Sequence, residues 1–333
     1  MTPANSKTLV YSPNWLGDSI MAMPALAALK QASACGRLTV LCRPTLEPLW
    51  ACCGFVDDLA TVESGVAGTF RAAGRIKAMA VSRSYSLPNS FRSALIPFLA
   101  GVPERIGPRG HHRAWLLTRS VADAGVESTV HQSREMAALL GVSDQDLEMP
   151  ELQIPAETIE ACRRRLADLD GTSPLLALVP GAARGPSKQW PRDHFVATGR
   201  LAAEQLGAHC LVLGSGAERE LCESVASGIG AQATSLAGET SLLEFAATVQ
   251  RCGVAVTNDS GGMHLAAASG AAVVAIYGIT DPARTGPLGD RHRVLQDSDV
   301  RSRDVPRESA LASERLARIT PAQAFDAVAS LMQ

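Results

Sequence analysis

The stretch Asn258-Asp259-Ser260-Gly261-Gly262-Met263-His264 joins an apolar run, Val254 to Thr257, to a run that favours a helix. This pattern predicts a strand, a small polar turn and a helix, the repeating unit of a parallel α/β sheet. The first N–H groups of a helix are unpaired and partly positive, so they favour phosphate or carboxylate groups. Ser260 and His264 would share one helix face. An ordinary turn in which Asp259 caps the helix explains the same residues equally well.

The composition is that of a globular protein large enough for two domains. The chain has 333 residues, of which 46% are hydrophobic and 19% charged, and its net charge is −2. At this length two hydrophobic cores are the default, and the near-neutral charge gives no support to a nucleic-acid partner. None of the eight cysteines forms a Cys-x-x-Cys pair, so we expect reduced, mostly buried thiols.

The sequence offers no secretion or membrane signal. The segment Met1 to Thr8 is polar, and no apolar run approaches the roughly 20 residues that a membrane-spanning helix needs. We therefore expect a cytoplasmic protein without a transmembrane segment. Such a protein can still act on a lipid at a membrane surface.

Alternating strands and helices fill both halves of the chain. In the first half the pattern predicts strands at Thr8–Tyr11, Arg37–Cys42 and Lys77–Val81 and a helix at Ser19–Gln31. In the second half it predicts strands at Leu175–Val179, His209–Leu213, Val254–Thr257 and Ala271–Tyr277, and helices at Phe195–Leu206 and Glu218–Ser227. We interpret the charged stretch Arg291–Arg318 as solvated surface.

These elements predict two doubly wound α/β domains. We place the domains at residues 1–155 and 156–333, since a proline-containing, charged segment separates the two series of strands. The last helix, 321–332, is a candidate for packing back on the first domain. Doubly wound domains bind ligands at the carboxyl ends of their strands, so a cleft between the domains is the expected active site.

Two loops carry residues that could perform chemistry. Asp18 follows the first strand, where a carboxylate could accept a proton from an attacking hydroxyl or simply cap a helix. The loop 180–191 places Lys188 after two glycines, which suits a phosphate cradle, although a solvated lysine is an equal alternative. Glu218 stands at another strand end, where it could accept hydrogen bonds from sugar hydroxyls or act as a first-turn helix acid.

A basic cluster lies in the first half. It consists of Arg105, Arg109, His111, His112, Arg113 and Arg119. Cations at this density suit a small anionic partner, but a solvated loop is the favoured interpretation of the cluster taken alone. No zinc-type Cys/His spacing, P-loop ending, Gly-x-Gly-x-x-Gly turn or Gly-x-Ser-x-Gly elbow is present.

Taken together, the motifs resemble the family 9 glycosyltransferases, the ADP-heptose:lipopolysaccharide heptosyltransferases, and most closely the heptosyltransferase II type. The resemblance rests on five ordered segments: 12–18 (SPNWLGD), 87–94 (LPNSFRSA), 180–182 (PGA) together with 185–191 (GPSKQWP), 236–240 (LAGET) and 257–264 (TNDSGGMH). Five motifs in order are much more specific than any one of them.

The resemblance implies a GT-B fold, with two Rossmann-like domains facing a cleft. It implies an inverting transfer of heptose from ADP-heptose, without a metal or other cofactor, to heptosyl-Kdo-lipid A, a lipid-linked inner-core acceptor at the membrane surface. It implies that Asp18 is the catalytic base and that Lys188 binds phosphate and stabilises the leaving group. The implied donor residues are Gly181, Ala182, Lys188, Glu218, Thr240, Asp259, Ser260, Gly261 and His264, and the acceptor candidates are Asn89, Ser90, Arg109 and Arg113.

Two departures from the family pattern concern the donor side. Arg184 adds a positive charge to the loop that carries Lys188, and the segment 296–313 looks short. Another nucleotide sugar or another acceptor is therefore an alternative within the family. A non-catalytic nucleotide-sugar binding protein is a second alternative, and the presence of Asp18 and Lys188 argues against it.

Overall fold

The computed structural model describes residues 6–32, 35–122, 128–145, 147–169, 171, 173–183, 185–297 and 310–332. The chain forms two compact units, Met1–Gln153 (unit 1) and Ile154–Gln333 (unit 2). The boundary lies two residues before the position that the sequence suggested. Arg184 and most of the segment 296–313 lie outside the described residues.

Unit 1 is a parallel sheet flanked by helices. Its strands are β1 (Lys7–Tyr11), β2 (Arg37–Cys42), β3 (Asp58–Thr61), β4 (Arg83–Ser86), β5 (Glu104–Pro108) and β6 (Arg119–Val121). Its helices are α1 (Leu16–Gln31), α2 (Glu47–Ala51), α3 (Gly65–Met79), α4 (Phe91–Leu99) and α5 (Gln132–Leu140). The strands pair in the order β3-β2-β1-β4-β5-β6. The strand order therefore reverses between β1 and β4, because β2 and β3 are added on one side of β1 and β4 to β6 on the other.

Unit 2 repeats this plan. Its strands are β7 (Leu175–Val179), β8 (His209–Val212), β9 (Ala233–Ser235), β10 (Val254–Asn258), β11 (Ala272–Tyr277) and β12 (Arg293–Gln296). Its helices are α6 (Ala156–Arg165), α7 (Arg192–Leu206), α8 (Arg219–Ile229), α9 (Leu242–Cys252), α10 (Gly261–Ala268), α11 (Pro282–Thr285), α12 (Ala310–Arg318) and α13 (Pro321–Leu331). The order β12-β11-β10-β7-β8-β9 is the order of unit 1, read from the other edge.

The central strands of unit 2 are buried along their whole length because helices cover both faces of the sheet. Every residue of β7, β10 and β11 is buried, as expected for parallel strands inside an α/β sandwich. α13 packs against α7 and against the sheet of the same unit. Thr320 caps α13, and Pro321 is its first residue.

Two predictions of secondary structure are wrong. Residues 77–81 do not form a strand, because α3 continues to Met79 and ends at Ala80, which has a left-handed backbone (φ 53°). The stretch 291–318 is not simply solvated surface. It contains the edge strand β12 and the helix α12, whose Leu316 is fully buried.

The cysteine prediction is confirmed. All eight thiols are buried and free of disulfides. Burial raises the pKa of Cys42, Cys53, Cys210 and Cys222 to about 12 each, so these thiols stay protonated and unreactive.

Candidate functional site

An ion pair occupies the point in unit 2 where the strand order reverses. Lys188 ends a 3-10 turn, Pro186–Lys188, in the loop that follows β7, and its ammonium group contacts the carboxylate of Asp259, directly after β10. The Lys188 side chain is 18% exposed and that of Asp259 is 7% exposed. Ligands of doubly wound sheets bind at the carboxyl ends of the strands beside this reversal. The structure therefore brings two predicted donor residues, 71 positions apart, to the expected place.

A buried asparagine holds the Lys188 loop to β10. The side-chain amide of Asn258 donates to Pro180 O at 2.7 Å, and its Oδ1 accepts from Trp190 N at 2.9 Å. Asn258 is fully buried, so these hydrogen bonds are shielded from water. Because Pro180 and Trp190 stand at the two ends of the loop, Asn258 fixes both ends relative to Asp259.

Trp190 itself serves packing. It is 2% exposed, its ring packs edge-on against Phe195 at 5.0 Å, and its indole N–H donates to Ile319 O at 2.9 Å. The Lys188 loop thus rests on α7 and on the segment between α12 and α13.

The start of α10 borders the same place. Ser260 is the N-cap residue and makes no capping hydrogen bond with its side chain, and Gly261 is the first helical residue. The alternative in which Asp259 caps this helix is wrong, because its carboxylate contacts Lys188 instead. A Cβ on Gly262 would lie 3.0 Å from Val179 Cγ1, so this glycine allows α10 to pack closely on β7. His264 is 5% exposed.

Tyr277 lies beside Asp259 at the end of β11. Burial and, after it, the negative charge of Asp259 raise the pKa of Tyr277 well above its usual value. The neutral hydroxyl donates to Thr285 O at 2.6 Å. Asp259 thus lies between a cation and a neutral phenol, an arrangement that keeps its charge paired in a nearly dry place.

The loops after β8 and β9 bring Glu218 and Thr240 to the same edge of the sheet. Glu218 Oε2 accepts hydrogen bonds from Ser215 N and Ser215 Oγ, both at 2.8 Å. A Cβ on Gly181 would lie 1.9 Å from Glu218 Oε1, so the absence of a side chain on Gly181 makes room for this carboxylate. Gly238 N donates to Gly214 O at 2.9 Å, which holds the loop that carries Thr240 against the loop of Glu218. Ala182 is buried next to Gly181.

In unit 1, Asp18 follows β1, the strand that occupies the place of β7 in the strand order. It is the third residue of α1 and is partly exposed. The N-cap position is held by Trp15, so the interpretation of Asp18 as an N-cap is wrong. The hydroxyls of Ser12 and Ser19 both donate to Pro13 O at 3.0 Å and fix the turn before Asp18.

Two of the predicted acceptor residues, Asn89 and Ser90, lie in the loop between β4 and α4, and a third, Arg113, contacts this loop. Asn89 and Ser90 are exposed, and Ser90 Oγ caps α4 by accepting from Ser93 N. Arg113 is 0% exposed and donates to three backbone carbonyls, Pro88 O (2.7 Å), Ser90 O (2.9 Å) and Pro108 O (2.9 Å). The structure therefore places Arg113 beneath this loop as its support, not on its surface as predicted for an acceptor contact. Arg109 is exposed.

The remaining basic cluster is divided between structural and exposed side chains. Arg105 donates to Leu116 O at 2.7 Å and Val102 O at 2.6 Å and lies over the ring of Phe98. His111, His112 and Arg119 are exposed. The cluster is thus not one anion-binding group.

The comparison with known proteins agrees with this geometry. The family model described as "Glycosyltransferase family 9 (heptosyltransferase)" matches residues 70–313. The chain belongs to glycosyltransferase family 9. It is 30% identical to lipopolysaccharide heptosyltransferase 2 of Escherichia coli strain K12 and 31% identical to lipooligosaccharide heptosyltransferase 2 of Haemophilus ducreyi. Each alignment covers 87% of this chain and 88% of the relative.

The fold of this family 9 glycosyltransferase is also that of solved relatives. The structure of E. coli ADP-heptose lipopolysaccharide heptosyltransferase II superposes with a TM-score of 0.84, at 27% identity and over 98% of both chains. The predictions of the family and of a GT-B fold built from two Rossmann-like units are therefore confirmed.

Sequence reasoning missed the side chains that hold the site of this glycosyltransferase together. Asn258 and Arg113 were visible as residue types, but nothing in the sequence indicated which backbone atoms they would bind. Asn258 offered the clearer signal, because an amide that ends an otherwise apolar strand is buried and needs partners.

The described parts of this glycosyltransferase contain neither a membrane-spanning helix nor a cluster of metal-ligating side chains. Within the described ranges, no helix is long and apolar enough to cross a membrane. In the same parts of the chain, no group of three or more His, Cys, Asp or Glu side chains is arranged to hold a metal ion.

Proposed function

We propose that the protein transfers heptose from ADP-heptose to heptosyl-Kdo-lipid A during synthesis of the lipopolysaccharide inner core. The observation that carries this proposal is the Lys188–Asp259 pair beside the start of α10, at the reversal point of unit 2. A partly exposed ammonium next to a helix N-terminus suits the diphosphate of a nucleotide sugar. The names of the relatives support heptose as the sugar.

On the donor side, we assign the diphosphate to Lys188 and to the first backbone amides of α10, at Ser260 and Gly261. Asp259 orients Lys188 through the ion pair and accepts a hydrogen bond from a hydroxyl group of ADP-heptose. His264, which is buried in the first turn of α10, orients the donor or stabilises the leaving group.

The adenosine part of the donor lies, in this proposal, along the loops after β7, β8 and β9. Glu218 keeps Oε1 next to the backbone of Gly181, so this oxygen can accept from a ribose hydroxyl. The backbone of Gly181 and Ala182 lines one side of the nucleoside, and Thr240 lies near the adenine.

On the acceptor side, we assign the general base to Asp18. The carboxylate accepts the proton of the acceptor hydroxyl while the hydroxyl oxygen bonds to the anomeric carbon of the heptose. The bond from this carbon to the diphosphate oxygen breaks, ADP leaves and the anomeric configuration inverts. Lys188 and the amides of α10 stabilise the charge on the departing diphosphate, a task that needs no metal ion in this proposal.

The acceptor itself carries carboxylate and phosphate groups near its sugars. We assign Asn89 and Ser90 to its hydroxyls and Arg109 to an anionic group, while Arg113 positions the loop from below. Because the acceptor is lipid-linked, we expect the protein to work in the cytoplasm, peripherally at the inner face of the inner membrane.

The direct test is turnover of heptosyl-Kdo-lipid A with a panel of nucleotide sugars. We expect transfer from ADP-heptose and at least tenfold less from other ADP- and UDP-sugars. Turnover with another sugar and none with ADP-heptose would support the alternative within family 9. Binding of ADP-heptose with no transfer to any acceptor would support a non-catalytic binding protein.

The Lys188→Ala variant tests the donor site separately. We expect it to bind ADP about ten times or more weakly, since a charge-assisted contact to the diphosphate is lost. Titration calorimetry measures the affinity, and Lys30→Ala is the control, because Lys30 is a lysine of unit 1 that pairs with Asp57. Equal ADP affinities in the wild type and Lys188→Ala would contradict the assignment.

A further inference from the structure

Unit 1 exposes four large apolar side chains in one place. Phe91, Phe98 and Leu99 of α4 are 40%, 39% and 38% exposed, and Trp115 is 64% exposed. The Trp115 ring lies 6.2 Å from that of Phe91 and 5.6 Å from that of Phe98, so these side chains form one patch. We call these four residues the aromatic surface. Contiguous exposed apolar patches mark interaction sites, whereas single exposed apolar residues are ordinary.

The local fold produces this surface directly. Phe91 and Phe98 are seven residues apart, which is about two helical turns, so they lie on the same face of α4. The opposite face of α4 is buried through Ser93 and Ile96. A 3-10 turn, Ala114–Leu116, buries Leu116 and leaves Trp115 outside, against α4. A folded core therefore holds the aromatic rings in the exposed position.

The segment that carries the aromatic surface is strongly basic. Residues 87–122 contain five arginines, two histidines and one glutamate, and therefore a net charge of +4 with histidine neutral. The glutamate, Glu104, is already paired with Arg83. Two of the five arginines, Arg109 and Arg119, are exposed, as are both histidines. The other three, Arg92, Arg105 and Arg113, donate hydrogen bonds within unit 1. The protein as a whole has a net charge of −2, so this positive charge is a local feature.

We propose that the aromatic surface docks on an anionic phospholipid bilayer. Tryptophan and phenylalanine partition into the interface of a bilayer, and nearby arginines are attracted to anionic headgroups. The inference rests on the proposed function, because a lipid-linked acceptor brings the enzyme to a membrane.

The surface is continuous with the loop assigned to the acceptor. Asn89 and Ser90 directly precede Phe91, and Arg113, which holds this loop from below, is two residues from Trp115. Docking through the aromatic surface therefore brings this loop to the headgroup level, where the sugars of the acceptor lie.

Binding to vesicles without acceptor tests the docking surface alone. The full-length protein is sedimented with vesicles of phosphatidylglycerol and phosphatidylethanolamine, and with vesicles of phosphatidylcholine. We expect binding to the anionic vesicles, at least tenfold weaker binding to phosphatidylcholine, and weaker binding at high salt. The Phe98→Ser/Trp115→Ser double variant should bind anionic vesicles at least tenfold more weakly than the wild type. Ile159→Ser, which changes an exposed apolar residue of unit 2, should bind as the wild type does.

Tryptophan fluorescence reports the insertion directly. In a Trp15→Phe background, Trp115 is the exposed tryptophan, since Trp50 and Trp190 are buried. We expect its emission to shift to the blue when anionic vesicles are added. No shift, together with no sedimentation, would overturn the proposal.

Transfer assays with two acceptors separate this inference from the proposed function. The double variant should transfer heptose to a deacylated, water-soluble acceptor at the wild-type rate, and at least tenfold more slowly to lipid-linked acceptor in vesicles. Wild-type transfer without vesicle binding would overturn the docking surface and leave the function standing. Vesicle binding without transfer to either acceptor would overturn the function and leave the surface standing. The proposal would also be overturned if the wild type did not bind vesicles but formed a dimer that the double variant disrupts. The aromatic surface would then bind a second copy of the chain.

Discussion

Units 1 and 2 have the same strand order. They differ in the side chains that hold the loops at the point where this order reverses. In unit 1 a buried arginine from another loop, Arg113, donates to the carbonyls of the β4–α4 loop. In unit 2 the buried amide of Asn258, at the end of β10 itself, donates to one end of the Lys188 loop and accepts from the other. Arginine only donates, whereas asparagine does both, so each unit uses the side chain that matches the backbone groups of its loop.

The chemistry at the two reversal points also differs. Unit 1 presents a partly exposed carboxylate, Asp18, after its first strand, and unit 2 presents the cation Lys188 after the equivalent strand β7. A base requires a carboxylate that can reach a hydroxyl, and a diphosphate requires a cation. One fold thus serves two roles through the loops placed on it, which is general for doubly wound sheets.

The largest expected effect follows from this division of roles. Asp18→Asn should lower the transfer rate about a thousand-fold, or about 4 kcal/mol in activation free energy, since the amide cannot accept the proton. ADP affinity should stay unchanged, because unit 2 carries the donor residues. Single-turnover kinetics and calorimetry measure the two quantities, with Glu63→Gln as an exposed acidic control of unit 1. A rate within tenfold of the wild type would remove Asp18 as the base.

The buried strands were predictable where they were continuously apolar. β7, β10 and β11 came directly from the sequence. β4 did not, because its sequence, Arg-Ser-Tyr-Ser, places buried serines where the pattern expects apolar residues. Ser86 Oγ donates to Ser93 O at 2.9 Å, so the serine is satisfied by a residue of α4. Periodicity records polarity and cannot indicate a hydrogen bond that the fold will supply.

The candidate site was predictable in its residues but not in its supports. The strand pattern placed Lys188 and Asp259 each after a strand of the second domain, and the family resemblance assigned both residues to the donor. Arg113 was predicted as an acceptor contact, whereas the structure buries it, which is rare for arginine. Its burial depends on three carbonyl groups, 5 to 25 residues away, that face one point only in the folded unit.

The second prediction removes the support of unit 1. Arg113→Ala should lower the free energy of unfolding by about 3 kcal/mol, since it leaves a cavity and deprives buried carbonyl groups of a donor. Arg113→Lys should recover only part of this loss, because an ammonium cannot reproduce the planar fork of a guanidinium. Urea unfolding measures both variants. Equal stability of Arg113→Lys and the wild type would show that the charge alone supports the loop.

The third prediction removes the support of unit 2. Asn258→Ala should lower the free energy of unfolding by about 2 kcal/mol, because Trp190 N and Pro180 O lose their hydrogen-bond partner. It should also weaken ADP binding, since Lys188 lies in the released loop, whereas Arg113→Ala should leave ADP binding intact. Asn258→Asp retains the acceptor for Trp190 N but loses the donor to Pro180 O, so it tests which bond positions Lys188. If ADP affinity responded equally to the Arg113 and Asn258 variants, the two supports would not act separately.

The smallest expected effect concerns pH and the outer strands. In unit 1, arginine–carboxylate pairs link neighbouring strands, as between Arg37 of β2 and Asp58 of β3. In unit 2, His292 Nδ1 accepts from Val273 N at 3.2 Å, and Nε2 lies 2.9 Å from Leu288 O. This geometry fits only the neutral ring with its proton on Nε2, and burial lowers the pKa of His292.

Acid should therefore loosen the edge of unit 2 before that of unit 1. The pKa of His292 is lower in the folded than in the unfolded chain. The neutral ring therefore contributes its full stabilisation of the fold when the pH is above the pKa of the unfolded chain, about 6.5, and this contribution is lost as the pH falls. Between pH 7.5 and 5.5, amide exchange in β11 and β12, corrected for intrinsic rates, should accelerate relative to β2 and β3. His292→Asn should make this difference insensitive to pH, because asparagine does not titrate. Equal acceleration in both sheets would place the pH sensitivity elsewhere than at His292.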